Sequence, residues 1–251
     1  MTKIIPRIST RGYYDLKYGK TIKKNSYFLY PKKDFKKFIG SKELVIMIHG
    51  LRNDNAGAIA KVILAKNRLS NLGYHFPVIG FSYDSNTTGA HLLKYAKRAL
   101  SAGQIIAKKN GHNLAMFIEN FKSTSPETKI RLIGHSLGSQ VILSTVEHLA
   151  KKSQNNGIVE GVYLFGASIT SDVPSSKKYG KLLDTVIRSK IVNYFSPTDE
   201  VLNWANNEKF VKGPLGLNGA TGKTIPKYHQ KLVKPKNHRF ASYIAVLNLF
   251  P

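Results

Sequence analysis

A serine enclosed by two glycines lies between an apolar run and a helix-like repeat, and this arrangement constrains the fold more than any other feature. Residues 134–138 read GHSLG. The apolar run at 130–133 predicts a buried strand, and apolar residues at helical spacing predict a helix over 139–152. A strand that turns into a helix at such a serine is typical of a nucleophile elbow, in which glycines leave room for a tight turn. We therefore interpret Ser136 as a nucleophile.

The composition favours one folded domain and excludes several classes of site. The chain has 251 residues, of which 42% are hydrophobic, enough for a single α/β domain over 1–251. It has no cysteine, which excludes disulfides and thiolate metal sites. No spacing of histidines and acids is typical of a metal centre, so we expect no metal and no cofactor.

No apolar run approaches the length of a membrane span, about 18–20 residues, and the first twenty residues lack the apolar core of a signal peptide. A cytoplasmic protein is expected.

The net charge of +25 is the unusual property of this chain. Thirty-nine Lys and Arg residues face fourteen Asp and Glu. Such an excess favours anionic partners, of which an anionic membrane surface fits better than nucleic acid, because no nucleic-acid motif accompanies the scattered lysines. Residues 1–40 form a basic N-terminal segment with one predicted strand at 26–30. The sequence gives no indication of the oligomeric state.

Apolar runs and helical patterns alternate along the rest of the chain. Strands are predicted at 43–48, 77–82, 159–165 and 190–195, and further helices near 55–72, 89–121, 175–188 and 240–249. The helix at 89–121 contains glycines that could divide it in two. Residues 204–235 are rich in Gly, Lys and Asn and are predicted to be an irregular loop near the site. The alternation predicts an α/β fold, a mainly parallel sheet with helices on both faces. Sites in such sheets lie beyond the carboxyl ends of the strands.

A serine nucleophile needs a histidine base, and the base needs an orienting carboxylate. After this kind of elbow the acid precedes the histidine in the chain. His238 lies between an irregular segment and a helix and is the preferred base, with His229 as the alternative. Asp199, which follows the 190–195 strand, is the preferred acid. Its neighbour Glu200 and the earlier Asp172 remain alternatives.

Two backbone amides are predicted to stabilise the negative oxygen of the tetrahedral intermediate. One belongs to Leu137, at the start of the elbow helix, where the helix dipole assists. The other belongs to Leu51, in the turn that follows the 43–48 strand. His49 and His135 are interpreted as residues that shape these turns and do not transfer protons.

The motifs IHGL, GHSLG, GVYLFGAS, SPTDEVL and NHRF, in this order and spacing, resemble the α/β-hydrolase superfamily from about residue 43 to the C-terminus. A narrower set, GHSLGSQVI, VYLFGAS and GLNGA, is similar to a hydrolase group that includes transmembrane-and-coiled-coil proteins. The resemblance implies about eight strands and a triad of Ser136, Asp199 and His238. It also implies a serine hydrolase of the esterase or lipase type. Little chain is available for a lid between 165 and 190, so an open site is expected.

Two functions therefore remain open from the sequence. The first is hydrolysis of carboxylic esters of short or medium chain length, or of lipids, through an acyl-enzyme on Ser136. The second is a hydrolase fold without catalysis, which binds nucleic acid or acidic partners through its basic surface.

Overall fold

Strands and helices alternate in the computed structural model, which describes residues 4–23 and 26–251. Residues 1–3 and 24–25 of the predicted basic segment lie outside the described residues. The strands are β1 (Arg7–Ser9), β2 (Phe28–Tyr30), β3 (Glu43–Ile48), β4 (Val78–Ser82), β5 (Lys129–His135), β6 (Val159–Phe165), β7 (Ile187–Phe195) and β8 (Tyr228–Leu232). The α-helices are α1 (Lys32–Phe35), α2 (Asn55–Asn71), α3 (Ala96–Thr124), α4 (Gly138–Leu149), α5 (Gly180–Val186), α6 (Glu200–Asn207), α7 (Leu215–Asn218) and α8 (Phe240–Ala245).

Over the described residues, the strands form one eight-stranded sheet in the order β2-β1-β4-β3-β5-β6-β7-β8. Strand β2 pairs antiparallel with β1, and each of the other neighbouring pairs is parallel. The elbow strand β5 is central, between β3 and β6. The predicted α/β architecture is confirmed: the sheet is mainly parallel, and helices lie on both of its faces.

Successive residues of the central strands point to opposite faces of the sheet, as the pleat requires. In β3, Leu44, Ile46 and Ile48 join the core beneath α3, α4 and α5, whereas Val45 and Met47 join the core beneath α2 and α8. All six residues of β3 are buried. Helices therefore cover both faces, which explains why this strand is continuously apolar.

The prediction of an irregular loop over 204–235 is wrong. The segment contains the end of α6, the short helix α7 and the edge strand β8. In β8 only Tyr228 is buried, so its sequence shows no apolar alternation. Its parallel pairing with β7 depends on a distant strand, which no local pattern reveals.

Other boundaries also differ from the predictions. The helix predicted at 175–188 is limited to α5, and its last predicted residues begin β7 instead. Helix α3 is continuous through Gly103 and Gly111. A Cβ at either position would be within 2.5 Å of a neighbouring residue, so these glycines serve close packing and do not break the helix. Strand β1 was not predicted: three residues are too few to show a period.

A buried ion pair joins β3 and β5 at the ends of these strands that lie away from the elbow. Arg131 Nε is 2.9 Å from Glu43 Oε2, and a second contact of 3.2 Å makes the pair bidentate. Both side chains are less than one-tenth exposed. The guanidinium hydrogen bonds and charge lower the pKa of Glu43, against the effect of its burial, so the carboxylate stays ionised.

Candidate active site

The predicted elbow is a strained turn that raises Ser136 above the end of β5. Ser136 has φ of 51°, in the left-handed region that residues with a side chain rarely adopt. Its amide donates to Phe165 O (3.0 Å), and its carbonyl accepts from the Ser139 amide (3.0 Å). A Cβ on Gly138 would lie 2.4 Å from Ile48 O, so the helix can approach β3 only with glycine there. Backbone contacts thus maintain the turn despite its strain.

Ser136, His238 and Asp199 form a continuous hydrogen-bonded chain. His238 Nδ1 donates to Asp199 Oδ2 (2.7 Å), because an ionised carboxylate can only accept. The other ring nitrogen, Nε2, is then an acceptor in the neutral imidazole, and Ser136 Oγ donates to it (2.9 Å). The three residues come from the ends of β5 and β7 and from the loop before α8. The structure therefore brings the three predicted residues together in the order that general-base chemistry needs.

Asp199 is held by three donors in addition to its place in the turn after β7. Its Oδ1 accepts from the Leu202 amide (3.0 Å), which makes Asp199 the N-cap of α6. Its Oδ2 also accepts from the hydroxyl of Tyr243 (2.7 Å), on α8. Burial alone would raise the pKa of Asp199, but the bonds from His238, Tyr243 and Leu202 hold it below its ordinary value. The side chain is fully buried and ionised, so it can orient the imidazole.

His135, directly before the serine, contacts His238 of the triad. Its Nε2 donates to the backbone carbonyl of His238 (2.8 Å). Its Nδ1 is buried and has no hydrogen-bond partner among the described residues. Burial, and then the neighbouring His238, lowers the pKa of His135 to about 3. His135 is therefore neutral at physiological pH and supports the loop that carries His238.

The loop after β3 is fixed by side chains that bind its carbonyl groups. Asn53 Nδ2 donates to Gly50 O (3.0 Å) and Leu51 O (2.8 Å). His49 Nδ1 donates to Gly50 O (3.0 Å), while its Nε2 accepts from the Tyr83 amide (3.3 Å). Burial, followed by the charge of Arg11, lowers the pKa of His49 to about 3. The ring is therefore neutral, so that Nδ1 donates and Nε2 accepts.

The two residues predicted to supply the amide donors both pack against α3. The side chains of Leu51 and Leu137 both contact Gly103 on α3: a Cβ there would be 2.5 Å and 3.2 Å from their methyl carbons. A Cβ on Gly50 would be 2.8 Å from that of Ser136, so the loop passes directly beside the nucleophile. Within the described residues, neither leucine amide donates to another protein atom.

The alternative candidates lie elsewhere. His229 is exposed on β8, where it pairs with Val192. Asp172 accepts from Thr170 Oγ1 (2.6 Å) and contacts Lys178 (3.5 Å). Glu200 is the exposed first residue of α6. In the described part of the chain, no group of three or more His, Cys, Asp or Glu side chains could hold a metal ion.

The tyrosine and asparagine contacts were not predicted. Tyr243 lies five residues after His238 on α8, and Asn53 lies in the turn after β3. Neither has a sequence signal of its own, since an isolated Tyr or Asn is common in any helix or turn. Only the geometry of Asp199 and of the loop after β3 identifies them.

A model of the family described as "Protein of unknown function (DUF726)" matches residues 58–211, more than half of the chain and a region that includes Ser136 and Asp199. The chain belongs to this family. His238 and the loop after β3 lie outside the matched region. The family description assigns no activity, so the chemistry of this DUF726 member rests on its site.

Two relatives of this DUF726 member are similar over shorter regions. An uncharacterized membrane protein of Caenorhabditis elegans is 37% identical over 75 residues, 30% of this chain and 12% of the relative. One of Schizosaccharomyces pombe is 33% identical over 98 residues, 37% of this chain and 16% of the relative. The matched regions are thus a small part of each relative. Among the described residues here, no helix is long and apolar enough to cross a membrane.

Solved structures of hydrolases are similar at low sequence identity. A putative hydrolase from Agrobacterium vitis is 16% identical, with 78% of this chain and 81% of that chain covered and a TM-score of 0.41. A cutinase of Trichoderma reesei is 17% identical, with 59% and 62% covered and a TM-score of 0.36. Identities this low give no information about the substrate.

Proposed function

We propose that this DUF726 member is a serine hydrolase that cleaves carboxylic esters through an acyl-enzyme on Ser136. The observation that carries the proposal is the hydrogen-bonded chain from Ser136 through His238 to Asp199, with distances of 2.9 and 2.7 Å. A serine hydroxyl is a poor nucleophile unless a base accepts its proton during attack. His238 Nε2 is an acceptor at the right distance, and buried Asp199 stabilises the imidazolium that forms.

The reaction has two halves. Ser136 Oγ attacks the ester carbonyl carbon while its proton passes to His238 Nε2, and the carbonyl electrons move onto the oxygen. The intermediate collapses, the bond to the alcohol breaks, and the departing alcohol takes the proton from His238. A water molecule then attacks the acyl-enzyme, giving its proton to His238. Collapse returns that proton to Ser136 and releases the acid, so the enzyme is regenerated.

The amides of Leu51 and Leu137 are proposed as the oxyanion hole. Donors are effective when they are already in place where charge develops, because no reorganisation is then needed. Two observations support this role: both amides have no protein acceptor within the described residues, and Asn53 binds the carbonyls on either side of the Leu51 amide. The loop is therefore fixed before substrate arrives.

The proposed substrates are esters of short or medium chain length, or lipids at an anionic membrane surface. The net charge of +25 supports attraction to such a surface. Leu92 and Tyr18 are each about half exposed, and such apolar side chains can enter the interfacial region of a bilayer. The narrower resemblance to the group with transmembrane-and-coiled-coil proteins, and the relatives named as membrane proteins, fit this substrate class. We also propose that the protein is located in the cytoplasm.

The test is hydrolysis of p-nitrophenyl esters from acetate to palmitate by the wild type and Ser136→Ala. We expect the variant to lose nearly all activity and also its labelling by a fluorophosphonate, which reacts with activated serines. Ser70→Ala, an exposed serine on α2, is the matched control and should behave as wild type. Circular dichroism checks that each variant is folded. Equal activity in Ser136→Ala and wild type, or no activity and no labelling in either, would contradict the proposal. The non-catalytic alternative, binding of nucleic acid or acidic partners, would then be tested by salt-dependent binding.

A further inference from the structure

A groove of about 420 Å³ lies beside the proposed active site and is not part of the triad or the oxyanion loop. Its walls are α3, α4, the turn after β6 at 168–173 and the segment 210–212. Its volume is within the range of pockets that hold small organic ligands, roughly 300–1,000 Å³. The groove is open to solvent along one side, where Ile105 of α3 is 41% exposed.

Residues at one end of the groove lie next to the elbow that carries Ser136. Gln140, on the first turn of α4, follows Ser136 by four residues and lines this end with Ser168. The Ser168 amide donates to Ser139 Oγ (3.1 Å) and lies 3.4 Å from Ser136 O. Gln104 lines the same end from α3, next to the glycine that contacts both leucines of the proposed oxyanion hole. This end of the groove is thus one backbone contact away from Ser136.

The floor of the groove is apolar, and its far end is charged. Leu143, Ile169 and Val173 form the floor and are buried within the protein. Lys108 and Glu147 line the end away from Ser136. Along α4 the distance from Gln140 to Glu147 is roughly 10 Å, at about 1.5 Å per residue. The apolar length of the groove is thus limited by charged groups.

We propose that this groove binds the acyl chain of the ester substrate and selects chains of medium length. This inference rests on the proposed function, since it takes Ser136 as the acylated residue. Each methylene group of a bound chain that is buried against the apolar floor stabilises the complex further. A chain longer than the floor must pass Lys108 and Glu147 and gains nothing further from apolar contact. Acetate is too short to reach the floor.

The experiment uses two isoleucines with nearly equal exposure. Ile105 is 41% exposed in the groove wall, whereas Ile63 is 40% exposed on α2, which covers the other face of the sheet. The variants Ile105→Trp, which narrows the groove, and Ile105→Asp, which adds a charge to it, are compared with Ile63→Trp and Ile63→Asp. For each protein, kcat/KM is measured with p-nitrophenyl acetate, octanoate and palmitate, and with octyl acetate.

We expect wild type to prefer octanoate to both acetate and palmitate. Both Ile105 variants should lower the octanoate-to-acetate ratio by about tenfold, the size of effect that lost contact with a few methylenes gives. Both Ile63 variants should keep the wild-type ratio. Octyl acetate carries its chain on the alcohol, so its rate relative to p-nitrophenyl acetate should be the same in Ile105 variants and wild type.

The outcomes separate this inference from the proposed function. Ester hydrolysis that depends on Ser136, combined with unchanged ratios in the Ile105 variants, overturns the groove assignment and leaves the proposed function standing. A selective loss of octyl acetate turnover overturns it too, because the groove would then bind the alcohol. Absence of ester hydrolysis in the folded wild type overturns both.

Discussion

The side chain of His135 binds the backbone carbonyl of His238, with Nε2 and the oxygen 2.8 Å apart. The residue before the proposed nucleophile thus holds the backbone of the proposed base, by a contact outside the triad. Only a ring protonated at Nε2 can donate here, and a neutral ring suffices. Burial lowers the pKa of His135 to about 3, so this donor does not change across the physiological pH range. One histidine is proposed to exchange protons while its neighbour stays neutral.

Replacement of His135 tests this positioning role. In His135→Phe an aromatic ring is retained but the donor is lost, so the carbonyl of His238 loses this hydrogen bond. We expect kcat to fall about tenfold, which corresponds to about 1.4 kcal/mol, with little change in KM. His135→Gln offers an amide donor at a similar position and should restore part of kcat. A Phe variant with wild-type kcat, or a Gln variant no better than Phe although both are folded, would contradict the assignment.

Tyr243→Phe removes one donor from the Asp199 carboxylate. We expect the free energy of unfolding to fall by about 1–3 kcal/mol at neutral pH, because a buried carboxylate loses one of its three donors. Asp199 has a lowered pKa in the folded protein, so its contribution to stability is present above the unfolded value and is lost as pH falls through the folded one. The difference between the two proteins should therefore narrow below about pH 4.

Urea unfolding of Tyr243→Phe and wild type at several pH values measures this difference. Tyr18→Phe is the control, since Tyr18 is 51% exposed and should lose no stability. A constant difference between Tyr243→Phe and wild type at every pH would mean that the hydroxyl acts through packing and not through the carboxylate.

The buried histidines predict how stability depends on pH. His49 and His135 both have pKa values lowered from 6.5 to about 3, chiefly by burial. Between these values the unfolded chain binds a proton at each residue and the folded protein does not, so stability falls as pH decreases from about 7 towards 4. Each histidine contributes up to about 1.4 kcal/mol per pH unit. Chemical denaturation from pH 7 to pH 4 should give a shallower slope for His135→Gln, and an identical slope would contradict this account.

Gly50→Ala tests the loop that carries the Leu51 amide. The added Cβ would be 2.8 Å from the Cβ of Ser136 and 3.1 Å from the carbonyl oxygen of His135, so the loop must move away from the nucleophile. We expect kcat to fall about a hundredfold, as when one oxyanion donor is lost. Fluorophosphonate labelling should slow in parallel, because that reaction uses the same donors. Unchanged kcat in a folded variant would exclude Leu51 as a donor.

The ion pair between Glu43 and Arg131 should affect stability without affecting chemistry. Arg131→Met leaves a buried carboxylate without its partner, and we expect unfolding to require about 3–5 kcal/mol less. The double variant with Glu43→Gln should recover part of this loss. Lys37→Met removes an exposed pair with Asp34 and should change stability by at most about 1 kcal/mol. Denaturant titration measures all three, and a similar loss in the two single variants would contradict the burial argument.

The elbow could be predicted from the sequence because its constraints are local. Ser136 needs glycines two residues away on either side, a strand before it and a helix after it, and all of these lie within one segment. Asp199 was chosen because it follows a predicted strand, as Ser136 does, and His238 because of its order in the chain and its place between an irregular segment and a helix. In a parallel sheet the ends of the strands converge at one edge. The structure brings the three side chains into contact at that edge.

The contacts that hold these residues were beyond prediction because they are non-local. The bond from Tyr243 to Asp199 joins residues 44 positions apart, and that from His135 to His238 joins residues 103 apart. Strand β8 has one buried residue and is defined by its neighbour β7. The pattern of apolar and polar residues cannot reveal such pairings, since an edge strand that is mostly exposed has the composition of a loop.

His238 lies just before the short helix α8, and Tyr243 lies on it. This helix packs on the face of the sheet opposite α4, so both residues depend on its docking. The nucleophile and its proposed base are 102 positions apart in the chain. During refolding, a molecule whose sheet has formed but whose α8 has not yet docked has a serine without a base. Appearance of ester turnover would therefore time the docking of α8, separately from the spectroscopic signals of secondary structure. In such an experiment the rate of ester hydrolysis would report on the docking of α8.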